Sequence, residues 1–360
     1  MHLLRVWPQI RIAFILVVMA LGGACKKAEI GPPLVEEPFE MLGADVSYLP
    51  DIRANSFELG CAEQPKNALN QLKLNGWNTI RLRLWHSPNS PESGLDQVAA
   101  LAEEAHSLGL KVLLTIHYSD TWADPGHQTK PAAWNGMGGD VLLDSVYQYT
   151  YRVVGRIQPD FVQIGNEING GMLWPEGRSS NAAYFFNLLD TGLSASKAVM
   201  PDCKTVLHYA GYRGACSFAQ WLQQMPCDYW GLSYYPIWHG KSLDSLKSAV
   251  ECVYASTGKR IFLAEISYPF TLSWNDWTHN IVGDTAQLLS GFPPNPQGQM
   301  AYVQALRSLM KEANGGSGIC YWGAEWVSYR GAQATNGSSW ENQALWDFNA
   351  QCLPVMQAFK

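Results

Sequence analysis

The feature that most constrains the fold is an alternation of short β-like runs with amphipathic helical stretches, repeated eight times from about Gly43. The β-like runs are Gly43–Tyr48, Asn78–Trp85, Lys111–Tyr118, Asp160–Ile168, Lys204–Ala210, Tyr229–Tyr235, Arg260–Ser267 and Gly318–Trp322. Helical periodicity is clearest over Leu95–Leu108, Val141–Ile157, Ala183–Met200 and Met300–Ala313. Such alternation implies parallel strands with crossover helices, and eight units close into a barrel. We therefore predict one α/β domain, a single (β/α)8 TIM barrel, over residues 41–360.

Polar and aromatic residues cluster where the β-like runs end. They include Asp45, Trp85, His86, His117, Tyr118, Asn166, Glu167, Tyr234, Tyr235, Glu265 and Trp322. In a barrel these strand ends meet around one mouth, which is where barrel enzymes place their chemistry. A doubly wound sheet would show the same alternation but would not bring eight strand ends to one site. The clustering therefore favours the barrel.

Two of these residues are glutamates that end nearly uncharged runs, Asp160–Glu167 and Arg260–Glu265. A poorly solvated carboxyl group has a raised pKa, as a proton donor near neutral pH requires. Two carboxylates on strands four and seven would face each other across the mouth, the arrangement of a glycosidase. The alternative is two unrelated, solvated acids.

The second β-like run alternates with period two, which directs Arg81, Arg83 and Trp85 into the barrel. Arginines inside a barrel are costly unless they are paired with acids. Asp45 and Glu265 are the expected partners. An arginine beside Glu265 would favour its ionised form, as a nucleophile requires, although a purely structural ion pair is the alternative.

Aromatic and histidine residues also bear on function. The chain has 15 tryptophans, and several, including Trp85, Trp174 and Trp322, fall at or just beyond strand ends. They form either core packing or a platform that stacks on sugar rings. His86 and His117 lack metal-ligand spacing, so hydrogen bonding is the better interpretation. The sequence contains no HExxH, GxSxG, P-loop or GxGxxG motif, which disfavours the common hydrolase and nucleotide-binding classes.

The N-terminus has the pattern of a secretory signal, predicted over residues 1–24. Arg5 and Arg11 precede an apolar run from Ile12 to Leu21, which is too short to span a bilayer. Gly-Ala-Cys25 then resembles a bacterial lipobox, although Leu21 lies four residues before the cysteine instead of the usual three. We expect lipidation of Cys25, with residues 25–40 as a tether, and attachment to the outer membrane on its periplasmic or cell-surface side. Ordinary signal cleavage nearby is the alternative.

Charge and cysteine content exclude further classes. Loss of residues 1–24 removes two arginines and no acids, so the formal charge changes from −6 to −8. Nucleic acid is therefore not an expected partner, since phosphate binding needs clustered Lys and Arg. Seven cysteines follow Cys25 without a CxxC pair, which argues against a zinc site and a dense disulfide framework. We expect buried free thiols, and one disulfide among these cysteines is the alternative.

Several motifs together resemble the arabinogalactan endo-β-1,4-galactanases, glycoside hydrolase family 53. The resemblance is carried from about Leu42 to the C-terminus by GADVS at 43–47, IRLRLW at 80–85, SDTWADP at 119–125, GNEI at 165–168, LWP at 173–175, SYYP at 233–236, Ala264-Glu265 and Tyr321-Trp322. It implies a retaining (β/α)8 glycosidase with Glu167 as acid/base and Glu265 as nucleophile. The other site residues that match are Asp45, Arg81, Trp85, His117, Asp120, Asn166, Trp174, Tyr234 and Trp322, all expected to bind substrate.

Two departures from the family pattern stand out. The family often has Trp-Glu-Pro-Ala-Trp on strand eight, where this chain has Trp322-Gly323-Ala324-Glu325-Trp326. Bacterial relatives often hold a calcium ion between their last long loops, and residues 273–284 offer Asn275, Asp276, His279, Asn280 and Asp284 without a clear alternating acid pattern. The chemistry itself needs no cofactor or metal, and a structural calcium stays open.

The expected activity is endo-hydrolysis of β-1,4-galactan and type I arabinogalactan by a monomer. Another glycosidase of the same clan, such as a mannanase or cellulase, is disfavoured by the motifs beyond Asn166-Glu167. A non-catalytic glycan-binding lipoprotein on the same fold is the alternative from a different class. Both carboxylates are present, which favours catalysis.

Overall fold

In a computed structural model that describes residues 39–360, eight parallel strands pair in sequence order and close, β8 against β1. The strands are β1 Met41–Asp45, β2 Thr79–Leu84, β3 Lys111–Ile116, β4 Phe161–Ile164, β5 Lys204–Ala210, β6 Tyr229–Tyr234, β7 Arg260–Ile266 and β8 Gly316–Tyr321. The predicted TIM barrel is confirmed.

The helices connect successive strands around this barrel. They are α1 Leu49–Ala54, α2 Ala68–Leu74, α3 Leu95–Ser107, α4 Gly139–Ile157, α5 Ala182–Val199, α6 Ala215–Trp221, α7 Pro236–His239, α8 Leu243–Thr257 and α9 Pro296–Glu312. Local sequence sets several ends: the Asn295 side chain caps α9, with Pro296 in its first turn. Helix α8 begins at the capping Ser242 and ends at Gly258, whose left-handed conformation favours glycine.

Side-chain alternation along the strands produces two apolar cores. The outward residues of β2, Ile80, Leu82 and Leu84, pack into the large core between strands and helices. A small second core fills the inside of the barrel. Its members are Met41, Leu113, Phe161, Val206, Phe262, Ala264 and Cys320. Because this core fills the lower part of the barrel, the residues that face the mouth are the polar ones further along each strand.

A β-bulge in β7 interrupts that alternation. Leu232 pairs with Leu263, but the next residue of β6, Ser233, pairs with Glu265, so Ala264 is an extra residue. Ala264 belongs to the core inside the barrel. Strict alternation would therefore turn Glu265 outward, and the bulge is what directs it into the mouth.

The chain enters the barrel at the face opposite the mouth. Glu40 contacts Tyr229 and Arg260, the first residues of β6 and β7. Within residues 39–360 no helix is both long and apolar enough to cross a bilayer. The predicted signal, Cys25 and all of the tether except Phe39 and Glu40 lie outside the described residues.

Two disulfides correct the expectation of at most one bridge. Cys61 pairs with Cys352 and Cys216 with Cys252, while Cys203, Cys227 and Cys320 are buried thiols. The first pair is 291 residues apart in sequence and meets because the main chains at Gly60 and Gln351 form a bridge. Only the folded chain brings such partners together, so spacing could not reveal them.

Candidate active site

A cavity of about 520 Å³ opens at the carboxyl ends of the strands. Six predicted site residues line it: Arg81, His117, Asn166, Glu167, Glu265 and Trp322. Other lining residues include Arg83, Trp122, Asp124, Tyr235, Trp238, Trp326 and Trp340. The cavity therefore combines a carboxylate pair with an aromatic wall, which is the composition expected of a sugar-binding site.

Glu167 follows β4 in a constrained backbone. Its φ of 48° is left-handed, and Gly165, two residues earlier, has φ 74°. A Cβ at Gly165 would lie 2.6 Å from the Ile168 side chain, so glycine is needed there. Non-glycine residues in this region cost about 1–3 kcal/mol and concentrate at functional sites. Here the turn directs the Glu167 carboxyl group into the cavity, where the residue is only 9% exposed.

Arg81 is the electrostatic centre of the site. Its guanidinium donates to Asp45 at 3.0 Å, to Glu265 at 2.7 Å and to Asn166 at 2.9 Å. Arg81 itself is 1% exposed. The predicted pairing of Arg81 with Asp45 and Glu265 is therefore present. Asp45 does not line the cavity, and it orients the Arg81 guanidinium through this ion pair.

Glu265 also accepts a hydrogen bond from the Tyr235 hydroxyl at 3.0 Å. Both of its oxygens are thus held by donors, one charged and one neutral. Burial raises the pKa of Glu265, and Arg81 opposes that rise. Because the direct ion pair stabilises the charged form, Glu265 is the carboxyl group of the two that is held ionised.

Glu167 lacks such an ion pair. Burial, followed by repulsion from Glu265, raises its pKa to about 8, and the hydrogen bond from Ser233 only partly opposes this. At neutral pH Glu167 therefore carries a proton. The site contains one carboxylate and one carboxylic acid, which is the division of roles that acid-assisted glycoside cleavage requires.

Arg83 departs from the prediction. It pairs with Glu92 at 2.9 Å instead of Asp45 or Glu265. Its guanidinium also lies 4.0 Å from the ring centroid of Trp122 and 4.6 Å from those of Tyr48 and Trp85. Arg83 therefore supports the aromatic wall instead of the carboxylates.

His117 presents one defined donor to the cavity. Its Nδ1 accepts from the main-chain N–H of Ala123 at 3.1 Å. Burial and the nearby Arg83 and Arg81 hold its pKa well below the usual range, so the ring is neutral. A neutral ring whose Nδ1 accepts carries its proton on Nε2. His117 can therefore donate a hydrogen bond to a ligand.

Tryptophans line the cavity from end to end. Trp322 packs edge-on against Trp340 at 4.7 Å and lies 6.0 Å from Trp122. Trp238, which is 54% exposed, lies 6.0 Å from Trp340. Trp326 also lines the cavity. The strand-eight segment that departs from the family pattern thus still supplies an aromatic side chain.

Glu325 lies in the segment that follows β8, between Trp322 and Trp326. It is fully buried and accepts from the main-chain N–H of Tyr48 at 2.6 Å. Burial raises its pKa well above the usual range. Glu325 therefore ties the end of β8 to the loop after β1 and does not face the cavity.

Besides Asp45, four predicted substrate-binding residues lie outside the cavity lining. Tyr234 is fully buried among outward-facing side chains, and its hydroxyl donates to the Gly240 carbonyl. Period-two alternation places Ser233 and Tyr235 inward and Tyr234 outward, so the adjacent Tyr235 takes the predicted place. Trp85 packs on Trp122.

Asp120 and Trp174 form hydrogen bonds with main-chain groups of the loops. Asp120 accepts from the main-chain N–H groups of Ser87 and Ala132. Trp174 donates to the Gly170 carbonyl at 3.0 Å and stacks under Arg178 at 4.1 Å. Both residues order the loops beside the cavity without lining it.

The candidate calcium residues do not converge. In the described part of the chain, no group of three or more His, Cys, Asp or Glu side chains is placed to hold a metal ion. Asp276 accepts from Ser328 and from the main-chain N–H of Thr278, and Asp284 caps a short helix. His279 packs edge-on against Trp274. The Asn280 side chain and the main-chain N–H of Asn275 both donate to Glu341.

Comparisons with known proteins agree with this geometry. The chain is 32% identical over 343 residues to an arabinogalactan endo-β-1,4-galactanase of Cellvibrio japonicus (strain Ueda107), covering 89% of this chain and 90% of that protein. It is 30% identical over 308 residues to the enzyme of the same name from Thermothelomyces thermophilus, covering 81% and 90%.

The solved structures agree as well. The Ignisphaera aggregans GH53 catalytic domain superposes with a TM-score of 0.85 at 34% identity, covering 91% of this chain and 98% of that one. A fungal β-1,4-galactanase superposes with a TM-score of 0.77 at 26% identity, covering 88% and 98%. The family model described as "Glycosyl hydrolase family 53" matches residues 41–359, and the chain therefore belongs to that family of glycoside hydrolases.

Proposed function

We propose that this protein cuts internal β-1,4-galactosidic linkages of galactan and type I arabinogalactan with retention of configuration. The observation that carries the mechanism is the unequal pair of buried carboxyl groups, Glu265 paired with Arg81 and Glu167 without a cation. The names of the similar proteins support the substrate. The aromatic wall fits a polysaccharide whose sugar rings stack as they pass through the cavity.

In the first step, the Glu265 carboxylate attacks the anomeric carbon while Glu167 gives its proton to the departing glycosidic oxygen. The C–O bond to the leaving sugar breaks as the bond to Glu265 forms. In the second step, ionised Glu167 takes a proton from a water molecule, whose oxygen displaces Glu265 from the anomeric carbon. Two inversions give net retention, and both carboxyl groups return to their starting states.

The two roles are separated by dependence on the leaving group. Glu167→Ala should be severely impaired on galactan, whose leaving sugar hydroxyl needs a proton. It should form the covalent intermediate far more readily with an aryl galactobioside that has an acidic phenol. Equal loss on both substrates, with no trapped intermediate, would reverse or void the assignment.

Azide gives a second test of the same assignment. Glu265→Ala should fail on both substrates, and azide should restore turnover while forming a glycosyl azide of inverted configuration. The matched Glu167→Ala reaction with azide should give the retained configuration, because Glu265 still forms the intermediate. Near wild-type hydrolysis by Glu265→Ala would contradict its role as nucleophile.

A non-catalytic glycan-binding protein on the same fold is the competing function. A reducing-sugar assay on purified galactan distinguishes the two, since a binding protein releases no ends. Mannan and cellulose in the same assay test the neighbouring glycosidase activities, for which we expect no comparable release. Size-exclusion chromatography tests the proposed monomer.

We also propose that Cys25 is lipidated and attaches the protein to the outer membrane. The Gly-Ala-Cys25 sequence after a basic and apolar start supports this. Stable attachment takes more than one acyl chain, which a processed lipoprotein cysteine carries. Cys25→Ser should release the protein from the membrane fraction or block its maturation. Unchanged fractionation and migration would contradict lipidation.

A structural calcium ion is a separate proposal. Two buried oxygens near residues 273–284, on Asn280 and Glu341, have no hydrogen-bond partner and are of the type that calcium prefers. Calcium addition to chelator-treated protein should raise the melting temperature. No change at millimolar calcium would exclude the proposal.

A further inference from the structure

A chain of hydrogen bonds leads from Glu167 into the barrel, away from the cavity. The hydroxyl of Ser233 on β6 lies 2.5 Å from Glu167 Oε1, and His208 Nε2 on β5 lies 2.9 Å from Ser233 Oγ. Ser233 and His208 are both fully buried, and neither lines the cavity. They therefore act on Glu167 and not on a ligand.

The surroundings of His208 decide which way these bonds run. The main-chain N–H of Glu167 donates to its Nδ1 at 3.4 Å, and the Gln163 amide, which also donates to the Gly165 carbonyl and to Asn166, lies 3.1 Å from it. The one acceptor there, Asn166 Oδ1 at 3.1 Å, already accepts from Arg81 and Gln163. Nδ1 is therefore an acceptor, and the proton of the neutral ring lies on Nε2.

The proton position on His208 also determines where the Ser233 hydroxyl proton lies. Because His208 Nε2–H donates to Ser233 Oγ, the single hydroxyl proton of the serine is left for Glu167 Oε1. Oε1 is thus engaged as an acceptor whether or not the carboxyl group is protonated. The acidic proton must then lie on Oε2, the oxygen of Glu167 that is left for a ligand in the cavity.

We propose that Ser233 and His208 are positioning residues that keep the transferable proton of Glu167 on the oxygen facing the substrate. This deepens the proposed function and rests on Glu167 being the acid/base. In the first step the proton is already directed at the departing oxygen. In the second step the same oxygen receives the proton of water without any change in the Ser233 hydrogen bond.

Other charged groups also act on this pair. Glu167 faces Glu265, Arg81 and Asp124, and His208 faces Arg81 and the neutral His239 and His117. None of these is altered by substitution of the serine. A change in the titration of Glu167 after that substitution therefore reports the loss of the hydroxyl.

The test is the pH dependence of kcat/KM on galactan for Ser233→Ala. The serine hydroxyl stabilises the ionised form of Glu167, so its loss should move the basic limb to higher pH by about one to two pH units. The acidic limb, which reports Glu265, should stay in place. Ser233→Thr keeps a hydroxyl and should restore the wild-type basic limb.

A matched control is Ser317→Ala, since Ser317 is equally buried and donates to the Ile261 carbonyl at the other end of the barrel. Its profile should coincide with wild type. A Ser233→Ala basic limb that coincides with the control would overturn the proposal. This result is distinct from failure of the proposed function, which the Glu167→Ala comparison of the two substrates measures in the parent background.

Two histidine variants keep the proposal testable if Ser233→Ala does not fold. His208→Asn retains a polar group near Nδ1 but removes the donor to Ser233, and should move the basic limb in the same direction by a smaller amount. His208→Gln places an amide N–H near Nε2 and should lie closer to wild type. The opposite order of the two variants would contradict the proposed direction of the hydrogen bonds.

Discussion

Replacing Glu167, the proposed acid/base, by glutamine should stabilise the protein while abolishing the proposed activity on galactan. Burial raises the pKa of Glu167 to about 8, from 4.5 for an ordinary glutamate. A carboxyl group whose pKa is raised on folding contributes stability at low pH, and that contribution is lost as pH rises through the folded-state value. Glutamine has nearly the same shape and does not titrate.

The size of the effect follows from the two pKa values. Integrating the linkage relation between 4.5 and about 8 gives a penalty of about 3 kcal/mol at pH 7 and somewhat under 1 kcal/mol at pH 5. The advantage of Glu167→Gln should therefore grow by about 2–3 kcal/mol between these pH values. With an unfolding entropy of about 2.1 cal/mol/K per residue, this is roughly 4 °C in melting temperature for a barrel of this length.

The assay is thermal unfolding of wild type and Glu167→Gln without substrate at pH 5 and pH 7, with urea unfolding as a second measurement. Glu103→Gln, on the exposed face of α3, is the control and should track wild type at both values. A Glu167→Gln advantage that is the same at pH 5 and pH 7 would refute the reasoning, because only a titrating group makes it depend on pH.

Three further predictions concern the site and its frame. Arg81→Lys keeps a charge, but its single ammonium nitrogen cannot reproduce the contacts that the two guanidinium nitrogens make with Asp45 and Glu265. The acidic limb of kcat/KM, assigned to the proposed nucleophile Glu265, should therefore move up by about one pH unit; an unmoved limb would contradict the role given to Arg81. Trp238→Ala should raise KM for galactan roughly 3- to 12-fold with kcat within a factor of two and melting unchanged. Replacing Cys216 and Cys252 together by serine should lower the free energy of unfolding by about 3–4 kcal/mol, from the 36-residue separation of the pair, as measured by urea unfolding against the parent.

Much of the architecture could be predicted because it depends on local pattern. Eight β-like runs alternating with helices define the barrel, and polar residues at their ends locate the mouth. The partners of Arg81 were also predictable, since a buried arginine needs acids and few are available inside. The sequence also predicts Glu167 and Glu265 as site residues because each ends a nearly uncharged run, and both line the cavity.

What could not be predicted depends on register and on distant contacts. Strict alternation through Ala264 would have turned Glu265 outward, and only the bulge in β7 corrects this. Whether Tyr234 or Tyr235 faces the cavity likewise depends on which side of the sheet each residue at the end of β6 points to, and a shift of one residue reverses it. His208 lies in no recognised motif, and Ser233 is only the first residue of the SYYP segment; their role beside Glu167 exists only through contacts between strands.

The entry of the chain at Glu40 has a practical consequence for how the protein can be attached to other things. Since Glu40 contacts the starts of β6 and β7, a group coupled directly at that residue would be attached at the face opposite the cleft. A fusion partner, an affinity tag or a bead coupled at that point would leave the mouth unobstructed. A polysaccharide far longer than the domain could then still bind along the tryptophans that line the cavity of an immobilised enzyme.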